Sequence, residues 1–301
     1  MAGDRKSSSL ATDHTRMRGW RAAWKNDGVV FALGALQPQE MEWVERAYQW
    51  SLDHPGVNAG DVLAGKPGAF YQDHANPHAL FAYQDLFNET GLARLVAEVM
   101  GSHQLWLLYE QIWFKKGNAP RTPWHQDLPY VPMSGPHLAT VWINLDPVDQ
   151  QRSLEFVRGS HRGLLYNPTA FDPHDPGATM FAKGTWPALP DIESQRETWP
   201  IVSSAIKPGD VVMFHPAMLH GGAATGARGR RRSLSLRFFG DLAYCCQRPE
   251  AGLHDRDRLT HDDGRCDPMR AMATQPDGTL FRHPGFAQLL PTGTTKASGH
   301  E

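Results

Sequence analysis

The alternation of polar and apolar side chains is clearest between residues 231 and 238. Polar residues share one parity: Arg231, Ser233, Ser235 and Arg237. Apolar residues share the other: Leu234, Leu236 and Phe238. Because successive side chains of a β-strand point to opposite faces of the sheet, this pattern predicts a strand with one polar and one apolar face. Both arginines are expected on the inward-facing polar side.

Residues of high β-propensity predominate from Leu105 onward. The predicted strands cover residues 105–115, 138–145, 153–157, 199–206, 210–215 and 232–239. In the second of these, alternation sets Thr140, Trp142 and Asn144 opposite Val141, Ile143 and Leu145. We expect the apolar face to pack against a second sheet and the mixed face to line the mouth of a barrel. The first strand has a similar mixed face, formed by Tyr109, Gln111, Trp113 and Lys115.

The N-terminal third of the chain has a helical period instead. Proline is tolerated in a first turn and acidic residues favour the N-terminal end of a helix, so a helix is predicted to begin near Pro38 and Glu40. A second helix is predicted around Leu95, with Gly101 as its C-terminal stop. Helices followed by several strands predict a mainly β fold with a helical N-terminal buttress. The expected architecture is a double-stranded β-helix, the cupin-like jelly roll.

The domain organisation follows from length and local composition. With 301 residues and no internal linker-like stretch, we expect a single domain over residues 16–290. The polar segments 1–15 and 291–301 are expected to be flexible tails. The connection 163–198 is rich in proline and glycine and lacks a strong period, which predicts a lid or an insertion that closes over the site. Residues 207–210, Lys-Pro-Gly-Asp, match a type II turn.

Charge, apolar stretches and cysteine content indicate which kinds of partner the protein binds. The formal net charge is -2 and the pI is about 6.7, so no overall basic field favours nucleic acid. No apolar stretch approaches the length of a membrane span. The chain has 3 cysteines, without a zinc-binding spacing. We therefore expect a cytoplasmic protein, a monomer or homodimer, that acts on a small molecule and binds neither nucleic acid nor membrane.

The most informative chemical motif is His125-Gln126-Asp127 in an extended segment. Residues i and i+2 of a strand share a face, so an imidazole and a carboxylate are expected side by side. With a second, distant imidazole they would form the 2-His-1-carboxylate set that binds non-haem Fe(II) and leaves coordination positions open. His220, downstream of the strand 210–215, is the candidate, and Arg231 follows 11 residues later.

The His-x-Asp pattern alone has little value, because the chain has 15 histidines and about one match is expected by chance. A second match, His261-Asp262-Asp263, lies in a charged, turn-like run and lacks a hydrophobic strand around it. We interpret that one as accidental. His137, His161 and His215 are interpreted as structural or surface histidines. Arg228, Arg230 and Arg232 are interpreted as a solvated basic turn.

Residues 20–240 resemble the phytanoyl-CoA dioxygenase family of Fe(II)/2-oxoglutarate-dependent oxygenases, in order as well as in content. The resemblance starts at residues 25–30, Lys-Asn-Asp-Gly-Val-Val. It continues through the segments 124–127, 141–145 and 154–162, and it ends with Lys-Pro-Gly-Asp at 207–210, His-Gly-Gly at 220–222 and Arg231. One departure is visible: the family often has a small hydroxyl residue two places after the distal histidine, and this chain has Gly222. A side-chain hydrogen bond to the co-substrate would then be missing.

The resemblance implies roles for individual residues. The metal ligands and catalytic residues would be His125, Asp127 and His220. The co-substrate contacts would be Arg231, Tyr109, Gln126, Trp142 and Thr140. The substrate contacts would be Gln111, Trp113, Trp124 and Arg237. Fe(II), 2-oxoglutarate and dioxygen would serve to oxidise an aliphatic C–H bond of a small molecule, by hydroxylation or another oxidative outcome, with release of succinate and CO2.

Other interpretations stay open at this level. The same three ligands could hold zinc in a hydrolase, although this would not explain Arg231. A catalytically silent, cupin-like binding protein could keep the barrel without turnover. Arg237 could form an internal ion pair, with Asp241 or Glu155 as the expected partner, instead of binding an acidic group of the substrate.

Overall fold

The computed structural model describes residues 4–62, 64–65, 68–170, 175, 177–249 and 268–291. Its helices are α1 (Asp4–Asp27), α2 (Pro38–Asp53), α3 (Ala79–Glu89), α4 (Leu92–Met100) and α5 (Pro268–Ala273). Its strands are β1 (Val29–Ala32), β2 (Gly60–Val62), β3 (Phe70–His74), β4 (Leu105–Lys116), β5 (Thr122–His125), β6 (Met133–Ser134), β7 (Leu138–Asn144), β8 (Leu154–Val157), β9 (Ile201–Val202), β10 (Val211–Phe214), β11 (His220–Gly222), β12 (Arg230–Gly240), β13 (Tyr244–Cys245) and β14 (Ala287–Leu290).

Two antiparallel sheets form the main body of the fold. The larger has the strand order β1-β10-β7-β12-β4-β3-β2, with β14 also paired to β4. The smaller has the order β5-β11-β8-β9. Phe156 of β8 packs against Phe214 of β10 with ring centroids 5.0 Å apart, so the two sheets face each other across an apolar layer. This arrangement is the predicted double-stranded β-helix, and the fold class is confirmed.

The two faces of the larger sheet have different neighbours. Its apolar face, represented by Val141 and Leu236, belongs to a buried cluster with helix residues such as Val44 and Leu92. The expectation that this face packs against the second sheet is therefore wrong. The helices cover it, and the mixed face turns toward the smaller sheet because the side chains alternate across the strand. The residues with candidate chemistry thus line the space between the sheets.

Local sequence signals account for several element boundaries. Helix α2 begins with a capping box between Gln37 and Glu40, with proline in its first turn. Helix α4 ends at Gly101, whose φ of 77° lies in the left-handed region, so the predicted stop is confirmed. Gly209 has a φ of 98°, and the Asp210 amide donates to the Lys207 carbonyl over 3.0 Å. Both features are those of the predicted type II turn.

The ends of the chain differ in part from the expectation. Helix α1 begins at Asp4, so it includes residues that were assigned to an N-terminal tail. Most of the predicted C-terminal tail lies outside the described residues. No helix in the ranges that the structure covers is long and apolar enough to cross a membrane.

The connection 163–198 has a single one-turn helix, Arg196–Thr198, in its described part. Leu189 and Ile192 pack with Trp124 and Leu219 on the outer face of the smaller sheet. This part of the connection therefore covers the back of the sheet that carries β5 and β11. A lid movement of the connection stays a prediction.

Candidate metal centre and its surroundings

His125, Asp127 and His220 come together between the sheets. Each offers one ligand atom, and these three atoms lie within 4.8 Å of one another. The register of β5 and β11 sets His125 directly opposite His220, with imidazole centroids 4.1 Å apart. Asp127 Oδ1 lies 3.5 Å from His125 Nε2 and 3.7 Å from His220 Nε2. One cation could contact all three atoms.

The route by which Asp127 reaches this position differs from the expectation. Strand β5 ends at His125, and Asp127 has helical dihedral angles (φ -75°, ψ -32°) at the start of a one-turn 3₁₀-helix, Leu128–Tyr130. The shared face of a continuous strand is therefore the wrong explanation for the pair. The chain turns after His125, and the Leu128 amide fixes the turn by donating to the Pro216 carbonyl over 2.8 Å.

Both imidazoles are oriented in the same way. The Nδ1 atom of each lies within hydrogen-bond distance of the carbonyl two residues earlier, 2.8 Å for His125 with Pro123 and 3.0 Å for His220 with Met218. When Nδ1 carries the hydrogen and donates it, Nε2 presents its lone pair to the common point. Such a bond to a carbonyl fixes tautomer and ring orientation in metal-binding histidines.

The Asp127 carboxylate has two distinct oxygens. Oδ1 is the atom close to both histidines, whereas Oδ2 accepts a hydrogen bond of 3.1 Å from the Thr140 hydroxyl. The Arg237 guanidinium also lies 3.6 Å from Oδ2. These contacts hold the carboxylate plane so that a single oxygen faces the histidines.

The protonation states of Asp127 and His220 are those that favour binding of a cation. Burial would raise the pKa of Asp127, but Arg237 and the two imidazoles outweigh it and hold that pKa well below its usual range. Burial, together with His125, lowers the pKa of His220 to about 4. At neutral pH, Asp127 is therefore ionised and His220 is neutral, the forms in which these groups bind metals.

Arg231 lies near the same interior space and has a different environment. It is 6% exposed, its Nη1 donates to the Arg152 carbonyl over 2.6 Å, and its guanidinium lies 5.9 Å from the Trp142 ring. Burial lowers its pKa to about 10. Within the described ranges no carboxylate pairs with it. A buried cation without a counter-ion is costly, which favours an anionic ligand at this position.

The Arg231 guanidinium lies beside Gly222, which follows His220 on the same strand. A Cβ atom built on Gly222 would lie 3.6 Å from Arg231 Nη2. Gly222 is two residues after His220 on β11 and therefore shares its face. Gly222 thus lies one strand repeat, about 7 Å, from His220 along the interior of the smaller sheet, and the Arg231 guanidinium lies beside Gly222.

The structure also brings four other predicted contacts to the interior between the sheets: Thr140, Trp142, Tyr109 and Arg237. Thr140 and Arg237 contact Asp127, and the Tyr109 ring lies 4.7 Å from the Arg237 guanidinium. Trp142 lies beside Arg231. Gln111 and Trp113 face the same interior from β4, where Gln111 donates to Gln72 over 3.2 Å and Trp113 packs against Phe70 with centroids 5.7 Å apart.

Two predicted contacts do not point to the centre. Trp124 precedes His125 in β5 and so points to the opposite face, where its indole donates to Glu193 over 2.9 Å. Gln126 is 2% exposed and uses its amide on backbone groups of Leu164, Tyr166 and Ala217. The assignments of Trp124 to substrate and of Gln126 to co-substrate are corrected accordingly. Gln126 instead ties the Asp127 turn to the segment that precedes His220.

A small cavity opens beside Asp127. Its wall is mostly apolar, from residues such as Leu108, Val131 and Phe238, and its polar groups include Thr140 and Arg237. A larger surface groove near Leu33 and Pro147 contains none of the three candidate ligands. His215, which we interpreted as structural, accepts a hydrogen bond at Nδ1 from the Ala217 amide over 3.2 Å and donates from Nε2 to the Gly135 carbonyl over 3.1 Å. The second motif, at His261, lies outside the described residues.

The donor set fits Fe(II). Two imidazole nitrogens and one carboxylate oxygen lie within 4.8 Å of one another, and this donor set is the one typical of facial non-haem iron sites. The buried guanidinium of Arg231, which pairs with no carboxylate in the described part of the chain, fits a carboxylate of a co-substrate that reaches from the metal. The arrangement could hold a cation and a bound anion next to an apolar cavity.

Comparison with known proteins agrees with these features. The sequence profile of the family "Phytanoyl-CoA dioxygenase (PhyH)" matches residues 24–233. A probable phytanoyl-CoA dioxygenase of Caenorhabditis elegans is 26% identical over 178 residues, which cover 56% of this chain and 54% of the relative. The human peroxisomal phytanoyl-CoA dioxygenase is 28% identical over 120 residues, which cover 39% of this chain and 33% of the relative. The matched part thus spans about half the length of these relatives or less.

A solved structure extends the likeness of fold to most of the chain. The non-heme alpha-ketoglutarate-dependent epimerase SnoN from nogalamycin biosynthesis has a TM-score of 0.66 at 21% identity and covers 92% of this chain and 97% of its own. The family profile covers most of the chain and includes all three candidate ligands and Arg231. The chain therefore belongs to the phytanoyl-CoA dioxygenase family.

Proposed function

We propose that this protein is an Fe(II)/2-oxoglutarate-dependent dioxygenase that hydroxylates, or otherwise oxidises, an aliphatic C–H bond of a small molecule. The observation that carries the proposal is the combination of His125, Asp127 and His220 around one point with the buried Arg231 beside Gly222. A metal-binding set alone would also suit a zinc hydrolase. A guanidinium beside Gly222, which lies one strand repeat from His220, fits a dicarboxylate co-substrate better.

Each residue has a definite task in this proposal. His125, Asp127 and His220 hold the metal, with Thr140 and Arg237 orienting the carboxylate. Arg231 holds the distal carboxylate of 2-oxoglutarate through a charge-assisted contact. When bound, Fe(II), 2-oxoglutarate and dioxygen supply the oxidising chemistry, with succinate and CO2 as by-products. The apolar wall beside Asp127 limits the access of water.

The substrate side is proposed from the cavity beside Asp127. Its lining is mostly apolar, which suits a hydrocarbon portion of a small molecule, but its volume is only about 20 Å³, so the lining side chains would have to move to admit one. Arg237 has two buried nitrogens, Nε and Nη1, without a hydrogen-bond partner in the described part of the chain. We propose that they bind an acidic or carbonyl group of the substrate. The names of fold neighbours include an epimerase, so product analysis should cover oxidative outcomes besides hydroxylation.

The test is reconstitution with metal followed by a turnover assay. Metal-stripped protein loaded with Fe(II) is expected to consume 2-oxoglutarate and to form succinate, at least in a slow reaction without the primary substrate. His125→Ala and His220→Ala should abolish succinate formation, because two remaining ligands hold Fe(II) poorly against water. His261→Ala serves as the matched control and should keep the wild-type rate.

Other outcomes would assign other functions. Full succinate formation in either ligand variant would remove the proposed metal set. Hydrolytic activity with Zn(II) and none with Fe(II) would favour the hydrolase. Metal binding without consumption of 2-oxoglutarate would favour a silent binding protein.

A further inference from the structure

Two buried cations lie opposite each other in the interior of the larger sheet. Lys115 of β4 and Arg231 of β12 are directly paired in the strand register. Lys115 is 2% exposed and Arg231 is 6% exposed. Among the described residues neither has a carboxylate partner. Burial lowers the pKa of Lys115 to about 7, with a further contribution from Arg231, and burial lowers the pKa of Arg231 to about 10. Such a pair is costly to bury unless an anion binds between its members.

The Thr122 hydroxyl converges on the same place. It accepts a hydrogen bond of 2.8 Å from Lys115 Nζ, so its own hydrogen remains for another acceptor. It also lies 3.4 Å from the position that a Cβ atom on Gly222 would occupy, and Arg231 Nη2 lies 3.6 Å from that position. An ammonium, a hydroxyl and a guanidinium therefore surround the space left by the missing side chain of Gly222.

This convergence accounts for the departure at Gly222. A small hydroxyl residue there would point into the interior from β11, whereas Thr122 is paired with Gly222 on the neighbouring strand β5. The register thus lets a hydroxyl from β5 reach the same space. Thr122 could supply one hydrogen bond, and Lys115 could add a positive charge that sequence reasoning did not assign to any role.

We propose that Lys115 and Thr122, together with Arg231, form the binding pocket for the distal carboxylate of the 2-oxo acid co-substrate, with the Thr122 hydroxyl in place of the side chain that Gly222 lacks. The inference rests on the proposed function. It assigns two co-substrate-binding residues and gives this pocket a second basic side chain beside Arg231. The expected ligand is accordingly a 2-oxo dicarboxylate instead of a 2-oxo monocarboxylate.

A purely structural role for Lys115 is the competing explanation. Its Nζ also donates to the Pro120 carbonyl over 3.3 Å, so it could hold the chain that leads into β5. That role predicts that Lys115→Met lowers the melting temperature and weakens all ligands equally. The binding role predicts a loss confined to ligands that carry the distal carboxylate, with the metal-free protein as stable as wild type or more so.

The experiment measures binding by calorimetry to Fe(II)-loaded protein in the absence of oxygen. The two probes are 2-oxoglutarate and 2-oxobutyrate, which keeps the metal-chelating end and lacks the distal carboxylate. Lys115→Met should weaken 2-oxoglutarate by roughly tenfold to a hundredfold, and Thr122→Val by about tenfold, while 2-oxobutyrate changes by less than about twofold. An unchanged affinity for 2-oxoglutarate, or an equal loss for both probes, would overturn the inference.

A rescue variant tests whether the affinity lost in Thr122→Val is due to the missing hydroxyl or to altered packing of the side chain. A Cβ on Gly222 would lie 3.3 Å from the flexible end of Leu154, a contact that a small shift relieves. Thr122→Val/Gly222→Ser should therefore recover most of the affinity that Thr122→Val loses, and no recovery would count against the hydroxyl assignment. If wild-type protein binds neither probe, the proposed function itself fails; if it binds 2-oxoglutarate and the variants do too, only this inference fails.

Discussion

Arg237 Nη2 lies 3.6 Å from Asp127 Oδ2, the carboxylate oxygen that also accepts the hydrogen bond from Thr140. The internal ion pair considered from the sequence therefore exists, but with a different partner. Asp241 accepts hydrogen bonds from the backbone amides of His103 and Gln104, and Glu155 pairs with arginines of other segments. Arg237 contacts a candidate metal ligand and still has two nitrogens available to the cavity.

This relationship predicts a metal-dependent stability of Arg237→Gln. The substitution leaves the largely buried Asp127 carboxylate with Thr140 and the imidazoles, so the melting temperature of metal-free protein should fall. Bound Fe(II) or Mn(II) supplies positive charge to the same carboxylate, so the difference from wild type should shrink with metal. Thermal unfolding with and without metal measures this. The exposed Arg230, as Arg230→Gln, is the control, and an equal deficit in both states would contradict the prediction.

The Thr140 hydroxyl is predicted to tune metal affinity. Thr140→Val keeps the shape of the side chain and removes the hydrogen bond of 3.1 Å to Asp127 Oδ2. Loss of such an orienting contact should weaken metal binding by about tenfold to a hundredfold. Thr140→Ser, which keeps the hydroxyl, should stay close to wild type. Equilibrium dialysis with Mn(II) compares the three proteins, and equal affinities of Thr140→Val and wild type would refute the assigned role.

Arg231→Lys is predicted to raise the 2-oxoglutarate requirement far more than it disturbs folding. A lysine ammonium reproduces the planar fork of a guanidinium poorly. The charge-assisted contact contributes about 1.5 to 3 kcal/mol, which corresponds to roughly tenfold to more than a hundredfold in affinity. The apparent 2-oxoglutarate constant and the melting temperature are measured together. An unchanged constant would move the anchor elsewhere, with Lys115 the first residue to replace.

The strands that carry alternating side chains could be predicted from the sequence. Residues 231–237 form a single strand whose polar parity faces the interior, because burial of Leu234 and Leu236 against the helices fixes the register. The inward direction of Arg237 could be predicted for the same reason, because Arg237 shares the parity of Arg231. Strand β9 is shorter than the predicted strand 199–206 because it is paired only along two residues of β8.

Other features depend on contacts that are distant in sequence. Asp127 reaches the histidines through a turn that is held by Pro216, which no local pattern encodes. Lys115 belonged to a recognised mixed face, but the alternation does not show that a second buried basic residue, Arg231, lies opposite it on β12. Trp124 was assigned to the substrate because it is next to His125 in sequence. Adjacent side chains of a strand point to opposite faces, so the assignment was wrong.

A buried acid away from the centre predicts a distinct pH dependence of stability. Glu110 is 4% exposed on the helix-facing side of β4, and its Oε1 accepts a hydrogen bond of 2.9 Å from the Asn76 amide. Burial raises its pKa from 4.5 to about 8, and the nearby Asp73 contributes in the same direction. Between these two values the folded protein keeps a proton that the unfolded chain releases. The free energy of unfolding from this group therefore falls as pH rises from about 4.5 to about 8 and is level outside that window.

Glu110→Gln should remove this dependence, because the neutral amide keeps an oxygen for the Asn76 amide and has no charge to desolvate. The slope contributed by one group is at most about 1.4 kcal/mol per pH unit. The variant should thus be more stable than wild type near pH 8, and the advantage should disappear toward pH 5. Urea unfolding at several pH values measures the two slopes, with the exposed Glu42, as Glu42→Gln, as the matched control. A Glu110→Gln slope equal to that of wild type would show that the Glu110 carboxyl is already ionised in the folded protein at pH 5, and that its charge is stabilised by its surroundings.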